Sequence, residues 1–342
     1  PVQSEESPAP ADSSPAVNDE DADTMEALES IAAMQEDAES AVQEEPYLAE
    51  QLTYDPDLPD VPYETGMMVV ADEVSRFFLQ CEAVNPVLLH ANRDAAMRAG
   101  LPTQFALLQD VLEGKSPPAP VYLFLNVFYL PEDQRVVLHD RLAREQAAAI
   151  WIYAPGYVDE GMDTANVSAT TGMNVVAFPA PEDAASLYAL NGLWIKQGEA
   201  IGSTLMMQPL FHIEDPEADV PIAQYKTSGK MSAAMRYNPE GWTSVFVATP
   251  FLTPALLREI LTVLEQPLVY RPKPINQFDT THIADNLIAI HARQVGEREI
   301  ELDGTYDVQD LFDPNIGWPR RESFIVPLDT GDSRLLQLKP PS

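Results

Sequence analysis

The chain has 342 residues, is 45% hydrophobic, carries a formal charge of −34 and contains one cysteine. That length suggests two or three domains with ample apolar material for their cores. The charge argues against nucleic acid or anionic lipid as a partner, because phosphate binding needs clustered Lys and Arg, and a single cysteine excludes an intramolecular disulfide.

The charge is uneven. Residues 1–64 hold 19 of the 54 Asp and Glu and none of the 20 Lys and Arg, which leaves the rest of the chain at −15. High charge with low hydrophobicity predicts a disordered acidic tail and linker over residues 1–64. Within it, Thr24 can cap a short run with Met25, Leu28, Ile31 and Ala32 on one face. That run reads first as a transient helix, and second as a docking peptide that folds on a partner. The Pro-rich text from Tyr54 to Tyr63 reads as an extended linker. No apolar run is long enough to span a membrane. The sequence starts at Pro1 rather than Met, which fits removal of a signal peptide or trimming of the chain. A secreted or periplasmic location is thereby favoured over a cytoplasmic one, with the compartment otherwise open.

Order is expected from Gly66 onward. Met67 to Ala71 is a short apolar strand, and Pro86 to Ala99 has helical spacing with Gly100 as its stop. Thr103 to Leu108 is a second strand. Val121 to Leu125 is an apolar run of the kind a strand buried on both faces shows. Pro131 follows at a first helical position, with Glu132 and Asp133 placing negative charge in the first turn. Leu138 and Leu142 repeat at i,i+4, and Asp140 and Arg144 are spaced to pair on the other face. Ile150 to Tyr153 is a further strand, so strand, helix and strand form a βαβ unit and imply a parallel sheet.

Thr164 to Thr171 reads as a short helix and Val175 to Phe178 as a strand. From Pro181 to Asp219 the pattern loosens into what reads as a β insertion, with strands at Leu210–Ile213 and Ile222–Tyr225. Met231–Arg236 and Ser244–Ala248 are strands joined by a turn at Asn238–Gly241. Thr253 is a good N-cap before Pro254, and Leu256, Leu257, Ile260, Leu261 and Leu264 form an apolar helical face. After Pro267 the period changes to two, and strands at 287–292, 298–302, 306–311, 323–327 and 334–338 make a small all-β unit.

The segments YLFLNVFYLPEDQR and WIYAPGY, with GWTSVFVATPFLTPALLREI, NLIAIHARQVGEREIEL and YDVQDLF downstream, resemble the part of β-galactosidase-like glycoside hydrolases that follows the catalytic TIM barrel. The resemblance covers roughly Met67 to Leu338. It implies a class I glutamine-amidotransferase-like α/β domain, which serves in trimerisation in those enzymes, and a small β-domain after it. The fold expected is therefore α/β. A flavodoxin-like or class I amidotransferase-like parallel sheet with flanking helices occupies residues 65–272, and a small β-sandwich-like domain occupies 273–342.

The residues that would carry chemistry are sparse. An amidotransferase nucleophile sits on a tight strand-to-helix turn, and the matching turn here runs Tyr153, Ala154, Pro155, Gly156, Tyr157, without a thiol or serine. Cys81 reads as a small buried hydrophobe. His90, His139, His212, His282 and His291 show no metal-ligand spacing, so neither a metal nor a cofactor is expected. The resemblance places the glycosidase carboxylate pair in the barrel, so no catalytic residue is assigned. Asp159, Glu160 and Asp163 read first as a solvated loop.

In an open α/β sheet, ligands bind outside the carboxyl ends of the strands. The residues there are Asp72, Asn126, Tyr153 and Thr249, joined by Tyr129 and Gly156. They are the candidate ligand-binding set, suited to a sugar, and can equally cap a filled core edge. Two functions stand open. One is a non-catalytic accessory or oligomerisation protein that self-associates through the α/β domain. The alternative is a carbohydrate-active enzyme or sugar-binding protein, or a fragment of a larger hydrolase.

Overall fold

Residues 64–78, 84, 86–202, 204–215, 218–273, 276, 278–284 and 286–341 are described by a computed structural model. The expectations for residues 1–63 and for Cys81 lie outside the described residues.

Five strands form the parallel part of the larger sheet: β1 (Met67–Ala71), β2 (Thr103–Leu107), β3 (Val121–Phe124), β4 (Ala148–Ile152) and β13 (Thr243–Val247). Their order is β2-β1-β3-β4-β13, every neighbour parallel. In order of appearance that is 2-1-3-4-5, the flavodoxin-like arrangement. All of β3 and β4 is buried, which is why these strands read as unbroken apolar runs rather than alternating ones. Beyond β13 the sheet changes sense. Strands β12 (Met231–Tyr237), β11 (Val220–Tyr225), β7 (Ser186–Tyr188) and β8 (Ala200–Ile201) continue it antiparallel, and β10 (Phe211–Ile213) joins β12 to β5 (Val175–Ala177). A separate two-stranded piece pairs β6 (Glu182–Asp183) with β9 (Met206–Met207). The loosened stretch after Pro181 is thus a set of short hairpins that widens the main sheet.

Helices alternate with the parallel strands along the chain. A π-turn, Pro86–Ala91, runs into α1 (Asn92–Met97), and Gly100 ends the segment with φ +89°. Helix α2 (Leu108–Leu112) follows β2. Helix α3 (Glu132–Glu145) connects β3 to β4 and buries Leu138 and Leu142. Its i,i+4 ion pair is Arg141–Glu145 at 2.9 Å rather than Asp140–Arg144. Arg141 is buried because its guanidinium pins α3 to the preceding turn, donating to Val111 O at 2.6 Å and Ser116 O at 2.9 Å. The Tyr122 hydroxyl donates to Glu145 at 2.6 Å, and burial chiefly pushes its pKa up to about 12. Helix α4 (Thr164–Thr171) is capped by Asp163, and α5 (Pro254–Val263) by Thr253 with Pro254 in its first turn.

The second sheet is antiparallel, in the order β14 (Thr280–Ala284), β15 (Leu287–His291), β18 (Ser333–Lys339), β16 (Gly296–Asp310), β17 (Gly317–Leu328). One expectation changes here. The expected strands at 298–302 and 306–311 are one strand whose register shifts between Glu301 and Tyr306. Asp303, Gly304 and Thr305 therefore form a bulge rather than a turn, a common role for glycine inside a strand. His282 and His291 lie on neighbouring strands and are both exposed.

The two cores are joined by specific bonds. Tyr270 N donates to Gly100 O at 2.9 Å and Thr281 Oγ1 to Met97 O at 3.1 Å. Beneath them Asp279, fully buried, accepts from Arg298 Nε at 2.8 Å and from the Tyr270 hydroxyl at 2.6 Å. Val269 and Tyr270 pack in the core of the second sheet.

Candidate functional site at the carboxyl edge of the parallel sheet

The topological switch lies between β1 and β3, where the strand order reverses and an open α/β sheet leaves a crevice. Asp72 follows β1 and Asn126 follows β3. Asn126 Oδ1 accepts from Asp72 N and Asn126 Nδ2 donates to Asp72 O, both at 2.8 Å. This two-bond clamp buries Asn126 to 1% exposure. The Asp72 carboxylate turns back to cap the 3-10 turn Ser75–Phe78, accepting from Ser75 N at 2.8 Å and from Ser75 Oγ. Ser75 Oγ in turn accepts from Phe128 N at 2.9 Å and Tyr129 N at 2.8 Å. The polar groups at the switch point therefore converge on each other. Ser75 completes the network. Its only local signal was the position three residues after Asp72, a capping spacing.

The other candidates are similarly engaged. Tyr129 is half-buried and stacks on Phe78 at 5.5 Å. Gly156 is buried with φ +68°, and a Cβ there would meet Thr170 Oγ1 at 2.1 Å, so only glycine fits. Thr249 is buried at the end of β13, apart from the β1–β3–β4 group, with Oγ1 3.5 Å from Phe251 O.

Tyr153 stands directly after β4 with φ +68°. A non-glycine residue in left-handed backbone at a strand end is the strained geometry of a nucleophile elbow. Here the elbow holds a tyrosine that is 7% exposed, whose hydroxyl donates to Pro209 O at 2.7 Å and whose ring meets Phe128 edge-on at 5.8 Å. Tyr153 is the one member of the candidate set that lines a crevice of about 420 Å3, together with Phe78, Tyr157, Met162, Met206 and Pro209. The walls are apolar and aromatic. The Phe128 ring packs on Tyr153, and Tyr157 packs on Phe211 at 5.3 Å.

Beside this crevice runs an acidic groove of about 1070 Å3 bordered by Glu132, Asp133, Asp159, Glu160 and Asp163. The N-termini of α3 and α4 open onto it, and carboxylates there suit the helix dipoles. Asp163 caps α4 through Ala165 N at 2.8 Å, and Asp159 lies 4.0 Å from Arg135. The groove is thus the solvated loop that the sequence suggested first. Two histidines lie elsewhere in the domain, His139 half-buried and His212 buried. His139 packs on Trp242 at 4.9 Å, and His212 contacts Lys230 at 2.8 Å; burial lowers the pKa of both. Among the described residues no group of three or more His, Cys, Asp or Glu is placed to hold a metal ion, and no helix is long and apolar enough to cross a membrane.

No family model and no curated protein matches this sequence. Solved structures do. The β-galactosidase from Bacillus circulans sp. alkalophilus matches 83% of this chain over 42% of its own length, at 13% identity and a TM-score of 0.58. The β-galactosidase from the haloarchaeon Halorubrum lacusprofundi matches 84% over 42% of its own, at 11% identity and 0.54. That from Rahnella sp. R3 matches 80% over 41%, at 13% identity and 0.53. The chain shares its fold with part of these β-galactosidases. It spans about two-fifths of their length.

Proposed function

We propose that this chain is a non-catalytic accessory and oligomerisation module of a β-galactosidase-like architecture, carbohydrate-related through the protein it serves, with an amidotransferase-like α/β domain as its centre. The observation that carries the reading is the state of the carboxyl edge. Asp72, Ser75 and Asn126 spend their polar groups on one another, and Tyr153 fills the elbow with its hydroxyl already bonded. The fold shared with part of several β-galactosidases supports the same reading. So do the parallel and antiparallel sheets of the described residues, which differ from a closed barrel.

Strand β2 favours self-association. Among the described residues it pairs on one side only, with β1. It is uncharged, and Phe105 and Leu107 are 49% and 39% exposed. An exposed apolar edge strand is a template for pairing with another chain. An uncharged edge also spares two acidic copies the repulsion their surfaces otherwise exert. Sedimentation velocity of the full chain, at moderate salt and tens of micromolar protein, tests this. A dimer or higher species that Phe105→Lys converts to monomer is the expected result. A monomer for the unmodified chain in that range refutes the oligomerisation role.

A further inference from the structure

The carboxyl edge does not hold the only cleft among the described residues. A second cleft, of about 530 Å3, runs along α1 where the loop leaving β13, the hairpin before β8 and the segment before β14 meet it. We infer that this cleft binds a neutral saccharide, a mono- or disaccharide by its size, whether or not the chain self-associates.

Three aromatic residues line it: Trp194, Phe251 and Phe278. Trp194 is fixed before any ligand arrives. Its indole N–H donates to Pro272 O at 2.9 Å, and its backbone N–H is held by the buried Glu259 carboxylate, which also accepts from Ile195 N at 3.2 Å. The Arg258 guanidinium lies 5.8 Å from the ring. A platform held this firmly loses little entropy on binding. Gly192 belongs to the same arrangement, because a Cβ at that position would lie 2.2 Å from the Glu259 carboxylate. Phe278, by contrast, is 47% exposed.

Three charged groups share the cleft: Asp94, Arg98 and Glu199. Arg98 is half-buried at the cleft, and its guanidinium supplies N–H donors to a ligand oxygen. Asp94 is paired with Arg93 at 3.0 Å, which leaves Arg98 and Glu199 of opposite sign and selects against neither anion nor cation alone. The ligand that fits therefore carries no net charge, with an apolar face for the aromatic residues and both donors and acceptors at its rim. A purely apolar molecule would desolvate Arg98 and Glu199 without compensation. A pyranose presents C–H groups on one face and hydroxyls around its edge, and so meets both requirements.

Saturation-transfer NMR on the full chain with galactose, lactose and maltose, each on the order of 10 mM, tests the inference. Transfer to at least one of them is expected. Phe278→Ala and Glu199→Gln, both at exposed positions that leave the core intact, should each weaken that binding several-fold, while Phe105→Lys on β2, outside the cleft lining, leaves it unchanged. Circular dichroism confirms that each variant is folded. No transfer to any of the three sugars overturns the inference, and so does transfer that neither cleft variant diminishes. Sedimentation of the same samples reads self-association separately, so failure of the cleft and failure of the oligomerisation role are distinguishable.

Discussion

Gly100→Ala is the sharpest test of how the two cores are joined. Gly100 has φ +89°, and a Cβ built there would lie 2.1 Å from Tyr270 O and 3.1 Å from Tyr270 C. Both atoms are backbone, so no rotamer change relieves the clash. The same residue already donates Tyr270 N to Gly100 O at 2.9 Å, so moving it loosens the bond that ties the second sheet to the first. Two costs add: about 1–2 kcal/mol for an L-residue in left-handed backbone, and about 1–3 kcal/mol for overpacking. Gly114 supplies the control. Its φ is +71° and nothing lies within 4 Å of the added Cβ, so Gly114→Ala carries only the first cost. The lower entropy of the unfolded chain favours both variants alike and cancels in the comparison. Urea unfolding followed by far-UV circular dichroism should show Gly100→Ala about 1–3 kcal/mol below Gly114→Ala, a midpoint difference on the order of 1 M or less. Equal midpoints would refute the close approach of Gly100 to Tyr270.

Three further outcomes are expected. Asn126→Ala leaves the backbone N–H and C=O of Asp72 without partners and should cost about 2–4 kcal/mol in the same unfolding assay; a loss under about 0.5 kcal/mol would mean the switch point is open rather than clamped. Arg298→Ala strands the fully buried Asp279 carboxylate, and removing one partner of such a pair costs about 3–5 kcal/mol, so a variant with unchanged thermal stability would contradict the buried pair. His139 and His212 both have lowered pKa values, chiefly through burial. The unfolded chain therefore binds more protons below the ordinary histidine range, and the stability these residues contribute is present above it and lost as pH falls, by at most about 1.4 kcal/mol per pH unit for each. Urea midpoints measured between neutral and mildly acidic pH should fall, and His139→Gln should flatten the slope; a steeper slope in that variant would reverse the assignment.

The parallel half of the molecule was legible in the sequence because its signals are local. Val121–Phe124 and Ala148–Ile152 are apolar at every position because both faces of the strands are covered. Pro131, Thr253 and Pro254 mark helix starts because orphan N–H groups at a helix N-terminus need a cap or a residue without an N–H. Gly100 marks a stop because left-handed backbone favours glycine. Each of these forces acts within a few residues of chain.

Tertiary structure alone decided the rest, because burial pattern records that a residue is covered and not what covers it. Nothing near Asp72 or Asn126 in sequence shows that their groups are spent on each other, since the bond spans 54 positions. Nothing in the run from Arg298 to Leu311 separates a turn at Asp303–Thr305 from a bulge, because both favour glycine and only pairing with β17 distinguishes them. Tyr153 carries no mark of its left-handed backbone, which the surrounding packing imposes on a residue that would not choose it. The cleft along α1 was invisible for the same reason: Arg98, Trp194 and Phe278 come from three distant segments, and only the folded chain brings a fixed aromatic residue and a guanidinium to one cleft.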